Sequence, residues 1–428
     1  MAKSLLYNII QNFEFDNTVK SQGSFKDFLS ELLALPASSR IRNVSIKFRG
    51  RDGPDLYADL NRFLCNVLMK RGVWGLKLDI WVTLDGGYSL PCEVFTCKTL
   101  VELELGSILE IRHLPENALL PALKTLTVDS VRFSDHSGCA FQKLISACPV
   151  LVELNVVNVE WEYYFTSIGN IHCDLESITL TTPGLTNLKY LDFPPRSYPL
   201  VNLNSLVEAT IGLKLPLDHA WIGQNAYDGD IISDITNLIK GLSNVEILNL
   251  YCTETMRAFY FSREALPEFQ NLHRLSIATE RKVCWRTLPH LLSKSPNLKT
   301  LIIEGPLHYK YYLGDGDESD EVNYYDDDDE EESESEDDES ICECLSDYSF
   351  LESCHVKTLE ITEYSRTKRE LDHMKLILKK LSSLELVKIC SNEIDDEEQS
   401  QLRTYLLKLP RSSKCKIQFE FIPPGSSF

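Results

Sequence analysis

A right-handed α/β solenoid, a horseshoe of stacked strand-bearing repeats, is the fold class the sequence predicts. Three observations predict it. A phrase of the form L-x-x-L-x-L recurs along the chain. Several neighbouring copies begin about 23 to 28 residues apart, inside the period of leucine-rich repeats. Ahead of the copies and again behind them, strand-period segments alternate with helix-period segments.

Taken in order, the first element is a helix. Ser24 to Leu35 places Phe25, Phe28, Leu29, Leu32 and Leu33 at helical spacing, and Pro36 ends it. It reads as an amphipathic cover for the first repeat, because the end of a solenoid needs protection. Ile41 to Phe48 alternates as a strand and is followed by the turn-like Arg51-Asp52-Gly53-Pro54. Leu56 to Lys70 carries Leu60, Phe63, Leu64, Val67 and Leu68 on one helical side, and Val73 to Trp81 alternates as the next strand.

The repeats then become explicit as Leu100 to Leu105, Leu123 to Val128 and Leu151 to Val156. Later copies are Leu175 to Leu180, Val245 to Leu250, Leu272 to Ile277, Leu298 to Ile303 and Val356 to Ile361. The last three residues of each phrase form a short strand, so Leu103 and Leu105 point inward while Glu102 and Glu104 point out. No single repeat can bury such a face, and repeats must share one core. Residues 183–240 blur the rhythm: Pro194-Pro195 and Pro216 interrupt it, although Leu188 to Phe193 and Leu206 to Ile211 still read as strands. Such irregularity either bends the solenoid or projects a specificity loop.

The residues between the inward leucines are the candidate binding positions on the concave face. They are Glu102, Glu104, Thr125, Thr127, Asp129, Glu153, Asn155, Ser177, Thr179, Asn249, Tyr251, Arg274, Ser276 and Thr300, with Ile302 beside them. The first repeats make this face acidic, which predicts a protein partner with a Lys- or Arg-bearing segment. The plainer alternative is that these side chains only solubilise an open sheet.

The formal net charge of -21 is a local property. About 18 of the 64 acidic residues lie between 315 and 343, where there is no Lys or Arg. Self-repulsion and low hydrophobicity predict an extended, disordered loop there. Ser333, Ser335 and Ser340 each have an acid three residues on, the context of an acidophilic kinase, and are candidate phosphorylation sites. An acidic balance argues against a nucleic-acid partner. No apolar run of about 20 residues marks a membrane span, and thirteen scattered cysteines without a signal peptide predict free thiols in the cytoplasm or nucleus. Cys148 reads as a small hydrophobe filling a turn.

Behind the acidic run, Phe350 to Ile361 reads as a strand, Lys368 to Leu381 as a helix, Leu384 to Cys390 as a strand, Asp396 to Leu409 as a helix and Cys415 to Phe421 as a strand. No G-x-S-x-G, P-loop, H-E-x-x-H or dinucleotide fingerprint is present, so no catalytic residue, cofactor or enzyme activity is expected. Cys342 and Cys344 with Cys354 and His355 follow no familiar zinc-knuckle spacing, and Asp315 to Asp320 has Asp where an EF-hand loop needs Gly at its sixth position. No metal is expected.

The succession Leu90-Pro91-Cys92 to Leu105, Leu120-Pro121-Ala122-Leu123-Lys124-Thr125-Leu126 and Leu144-Ile145-Ser146-Ala147-Cys148-Pro149-Val150-Leu151-Val152-Glu153-Leu154 resembles the plant F-box/LRR/FBD family. Leu409-Pro410-Arg411-Ser412-Ser413-Lys414-Cys415-Lys416-Ile417 is similar to the FBD domain that closes many members. Together with the composition break and the N-terminal helix, the resemblance divides the chain into a capping segment over 1–70, irregular repeats over 71–305, the acidic loop over 306–345 and an α/β FBD cap over 346–428. It also implies a substrate-recognition role in a ubiquitin ligase. Members usually begin with an F-box that docks a Skp-type adaptor. Residues 1–40 show no Leu-Pro-Asp opening and no Ser-Lys-Arg-Trp phrase, and Phe13-Glu14-Phe15-Asp16 is similar to the segment just after that module. The expectation is therefore a protein-binding module without its own F-box. The alternative is a working SCF-type receptor whose F-box is omitted by a truncated gene model or replaced. A hormone-type small-molecule receptor is a third class.

Overall fold

The computed structural model describes residues 10–16, 25–34, 40–50, 54–82, 88–107, 109–134, 139–161, 163–165, 171–173, 175–214, 233–279, 285–307, 349–364, 367–392 and 396–422. The chain divides into two compact units, Met1–Phe269 and Gln270–Phe428. The acidic run, Ser333, Ser335, Ser340, Cys342 and Cys344 lie outside the described residues.

The first unit is built on a parallel sheet whose strands follow chain order: Ile10–Asp16, Arg40–Gly50, Gly75–Val82, Glu102–Gly106, Thr125–Asp129, Glu153–Val157, Asn187–Asp192, Glu208–Leu213 and Ile247–Leu250. The inward leucines form one row in exact neighbour register: Leu76, Leu103, Leu126, Leu154 and Leu188 pair in succession. Each of the five is at most 2% exposed. Burying such a Leu is worth about 1.5–3 kcal/mol, which explains why this spacing persists while the intervening residues vary.

Three strands differ from the sequence reading. Ile10–Asp16 is an additional first strand, parallel to Arg40–Gly50. A register shift between Gln11 and Asn12 breaks its alternation, which hides it from a period-two search. Its Phe15 is buried against Phe25 and Phe28, at ring separations of 4.8 and 5.0 Å, so the Phe25–Ala34 helix follows a strand instead of standing alone over the repeats. Secondly, Leu175 to Leu180 is not a ladder strand. The neighbour of Glu153–Val157 is Asn187–Asp192, where Leu185, Leu188 and Tyr190 supply the inward positions. Residues Leu180–Thr181 pair with Val201–Asn202 elsewhere, and Ser177 bridges Ser197. Thirdly, Phe350 to Ile361 is a Ser349–Glu352 helix followed by a Thr358–Ile361 strand.

A second, four-stranded parallel ladder runs Tyr88–Ser89, Leu109–Ile111, Arg132–Phe133, Glu160–Trp161. Three successive repeats enter it through a left-handed residue: Ser107 (φ 56°), Ser130 (φ 57°) and Asn158 (φ 48°). The amide of each donates to the next repeat, to Asp129, Val157 and Leu191 carbonyls respectively, at 2.9 to 3.2 Å. Behind this ladder Phe133 stacks on Trp161 at 5.4 Å, and Phe141 of the Cys139–Ser146 helix meets both edge-on. Cys148 fills the following turn, its thiol donating to the Leu144 carbonyl at 3.1 Å, and burial pushes it up to about 12.

Among its described residues the second unit carries the parallel strands Arg274–Ala278, Thr300–Glu304, Thr358–Ile361, Leu386–Asn392 and Lys416–Ile422. Leu275, Leu301, Leu359 and Val387 form its buried row. The Lys368–Lys380 helix begins with a capping box. The Glu370 amide donates to the Thr367 hydroxyl, and the Thr367 amide donates to the Glu370 carboxylate.

Candidate protein-binding face

The side of each strand opposite the leucine row is polar, and parallel pairing arranges it in rows that cross the strands. The row nearest the strand starts in the first unit is Gly75, Glu102, Thr125, Glu153, Asn187, Glu208. Two residues on comes Lys77, Glu104, Thr127, Asn155, Lys189, Thr210, Asn249. The structure therefore brings together seven of the expected residues, Glu102, Glu104, Thr125, Thr127, Glu153, Asn155 and Asn249. Asp129 lies in a third row beside Gly106 and Val157. Tyr251 follows directly on its strand, with its amide donating to the Ile211 carbonyl, and stands 59% exposed.

Several rungs are tied sideways. Lys77 Nζ lies 2.7 Å from Glu104 Oε1, both about half exposed. Asn155 donates to Thr127 Oγ1 at 3.1 Å and to Glu153 Oε1 at 3.0 Å, while Asn249 donates to Thr210 Oγ1 at 3.1 Å. Arg49 grips Asp79 with two hydrogen bonds of 2.7 and 3.0 Å. These contacts cancel part of the acidity expected of the face. Among the described residues Glu102, Glu153 and Glu208 have no ion-pair partner, so the remaining negative charge is concentrated in the first row.

Other expected positions fall elsewhere. Ser177 and Thr179 stand off the ladder, because the strand belonging to that repeat begins at Asn187. Arg274 and Thr300 pair in the second unit. Ser276 is only 1% exposed and its hydroxyl donates to Glu304 Oε1 at 2.5 Å, so a neighbour already occupies it; Ile302 is buried as well. Lys77, Asn187, Lys189, Glu208 and Thr210 belong to the face although the sequence reading did not single them out. Their signal was the position between two inward residues, as in Leu76-Lys77-Leu78 and Ala209-Thr210-Ile211.

Among the described residues no group of three or more His, Cys, Asp or Glu is placed to hold a metal ion, and no helix is long and apolar enough to cross a membrane. In the second unit Trp285, Leu288, Leu301, Ile303, Phe350, Leu351, Leu359, Ile377 and Leu381 line a cavity of about 10 Å³. That space holds one water at most.

Residues 64–192 match the family model described as FBD-associated F-box protein At5g56370, LRR repeats. The F-box protein At3g58960 of Arabidopsis thaliana is 69% identical over 99% of this chain and 92% of its own length. From the same organism, F-box/LRR-repeat protein At3g58980 is 44% identical over 96% of this chain and 68% of its own length, and F-box/LRR-repeat protein At3g62440 is 41% identical over 96% and 92%. A leucine-rich-repeat protein of Leptospira interrogans, LIC12759, aligns over 96% of this chain and 100% of its own at 13% identity and a TM-score of 0.27, too distant to bear on the fold. Near-full-length identity at these levels places the chain in the plant F-box/LRR-repeat family.

Proposed function

We propose that the chain is a non-catalytic recognition protein that captures a protein target on the open face of its first-unit sheet. One observation carries this reading. The residues that the core does not need are held in register as continuous cross-strand rows, with Glu102, Glu153 and Glu208, carboxylates without an ion-pair partner among the described residues, aligned in the first. A face of that kind selects a partner by charge and shape without performing chemistry. The C-terminal part, over 346–428, is read as an FBD-type domain that closes the repeats, and cytoplasm or nucleus as the compartment.

The test is affinity capture from plant extract with the full chain and with a Glu102→Lys, Glu153→Lys, Glu208→Lys variant. The reading expects the variant to lose proteins that the unchanged chain retains at physiological salt. An identical captured set overturns it. Family membership favours a second role for the same chain, as the substrate receptor of an SCF-type ubiquitin ligase. Co-purification with a Skp-type adaptor separates the two: the stand-alone module expects none, and the receptor expects a stoichiometric complex.

A further inference from the structure

A row of apolar side chains borders the carboxylate row. Immediately before their strands stand Trp74 (50% exposed, with the Arg42 guanidinium 4.9 Å from its ring centroid), the half-buried Val101, and the exposed Val152 (38%) and Val207 (37%). Backbone hydrogen bonds of 2.7 to 2.8 Å run from Val101 to Trp74, Lys124 to Val101, Val152 to Lys124, Thr186 to Val152 and Val207 to Thr186, so these residues occupy equivalent places on consecutive strands. Val101-Glu102, Val152-Glu153 and Val207-Glu208 are therefore the same dipeptide on every second strand. On the strands between them the equivalent places are held by Lys124 and Thr186, and Lys189 stands in the next row, beside Asn155 and Thr210.

Adjacent strands lie about 4.8 Å apart, so the Val-Glu pairs recur about every 9.6 Å across the sheet. A polyproline II chain rises about 3.1 Å per residue with three residues per turn, so one face returns about every 9.3 Å. A β-strand alternates faces and cannot present every third residue to one side. An α-helix returns after seven residues at about 10.5 Å and drifts out of step. Lys124 in the border, and Lys189 in the row beside it, disfavour a uniformly basic segment.

We propose that the occupant of this border is a polyproline II segment with Arg or Lys at every third residue, its charges meeting Glu102, Glu153 and Glu208 and its prolines lying on the valines. The proposal rests on the reading of the open face as a protein-binding surface and names the chemistry of its partner.

The experiment is fluorescence anisotropy with the full chain and two labelled peptides of equal composition: four repeats of Arg-Pro-Pro, and a version with its arginines clustered. The expected result is at least five-fold tighter binding of the periodic peptide, with each of Glu102→Gln, Glu153→Gln and Glu208→Gln weakening it by about two- to five-fold. Equal affinity for the two peptides, no effect of the Gln variants, or no binding of either peptide overturns the proposal. Loss of peptide binding with retained, charge-dependent capture of a protein target would sink this partner chemistry alone. Capture insensitive to charge reversal would sink the underlying reading too.

Discussion

The indole N–H of Trp161 donates to Asp192 Oδ2 at 3.1 Å, joining the second ladder to the end of the Asn187–Asp192 strand. Asp192 is fully buried and also accepts from the Phe193 amide at 2.7 Å. Burial outweighs these hydrogen bonds and the field of Lys214, and pushes the carboxyl up to about 7. A carboxyl raised in the folded state binds more protons there than in the unfolded chain between about pH 4 and 7. Its contribution to stability therefore falls as pH rises through that window and levels off above it. Carboxylates held low, such as Glu110 and Glu385, slope the other way at lower pH. The expected outcome is that the unfolding free energy of the unchanged chain from urea titration, taken relative to Asp192→Asn, drops between pH 5 and 8, by on the order of 2–4 kcal/mol. A pH-independent difference would refute the buried ionisation.

Ser107 and Ser130 hold left-handed backbone, where any Cβ is strained by about 1 kcal/mol and a branched one by more. Ser130→Gly is expected to match or exceed the parent in thermal stability, while Ser130→Val loses about 1–2 kcal/mol. At Asp129, in extended strand next door, the order of Gly and Val should reverse. Thermal melts of the four variants decide it.

Gly305 has φ 118°, and a Cβ placed on it would meet the Thr279 carbonyl oxygen at 2.2 Å. Gly305→Ala is expected to cost more than about 2 kcal/mol in the second unit, because backbone on both sides must move. At Gly184 the nearest atom is 3.6 Å away, and Ala there should be nearly neutral. Chemical denaturation of both variants reads the contrast.

Leu126 is completely buried in the leucine row, whereas the adjacent phrase position Lys124 is exposed. Leu126→Ala should cost about 2–5 kcal/mol through lost transfer energy and a residual cavity. Lys124→Ala should stay within about 0.5 kcal/mol. Comparable losses at the two sites would mean that the repeat phrase does not mark the core.

The leucine row was legible because burial enforces it: Leu103, Leu126 and Leu154 occupy the places their spacing assigned. Parallel, in-order pairing then puts Glu102, Thr125 and Glu153 side by side without further information. Where another residue type fills an inward place, the signal fades. Tyr190 stands where the phrase expects Leu, so the reading settled on Leu175 to Leu180 and misplaced Ser177 and Thr179. Two-residue strands such as Arg132–Phe133 are too short to show a period, and the second ladder was not anticipated. Ser276 sits at a face position by pattern, but no pattern reveals that Glu304 will take its hydroxyl.

The central claim is that the open face of the first-unit sheet captures a protein. A photo-crosslinking amino acid placed at Thr127, in the middle of that face, tests it against the same group at the exposed Arg112, beside the second ladder. Illumination in plant cells is predicted to give a discrete protein adduct from position 127 and none from position 112. Adducts from position 112 alone, or the same adducts from both, would contradict the account.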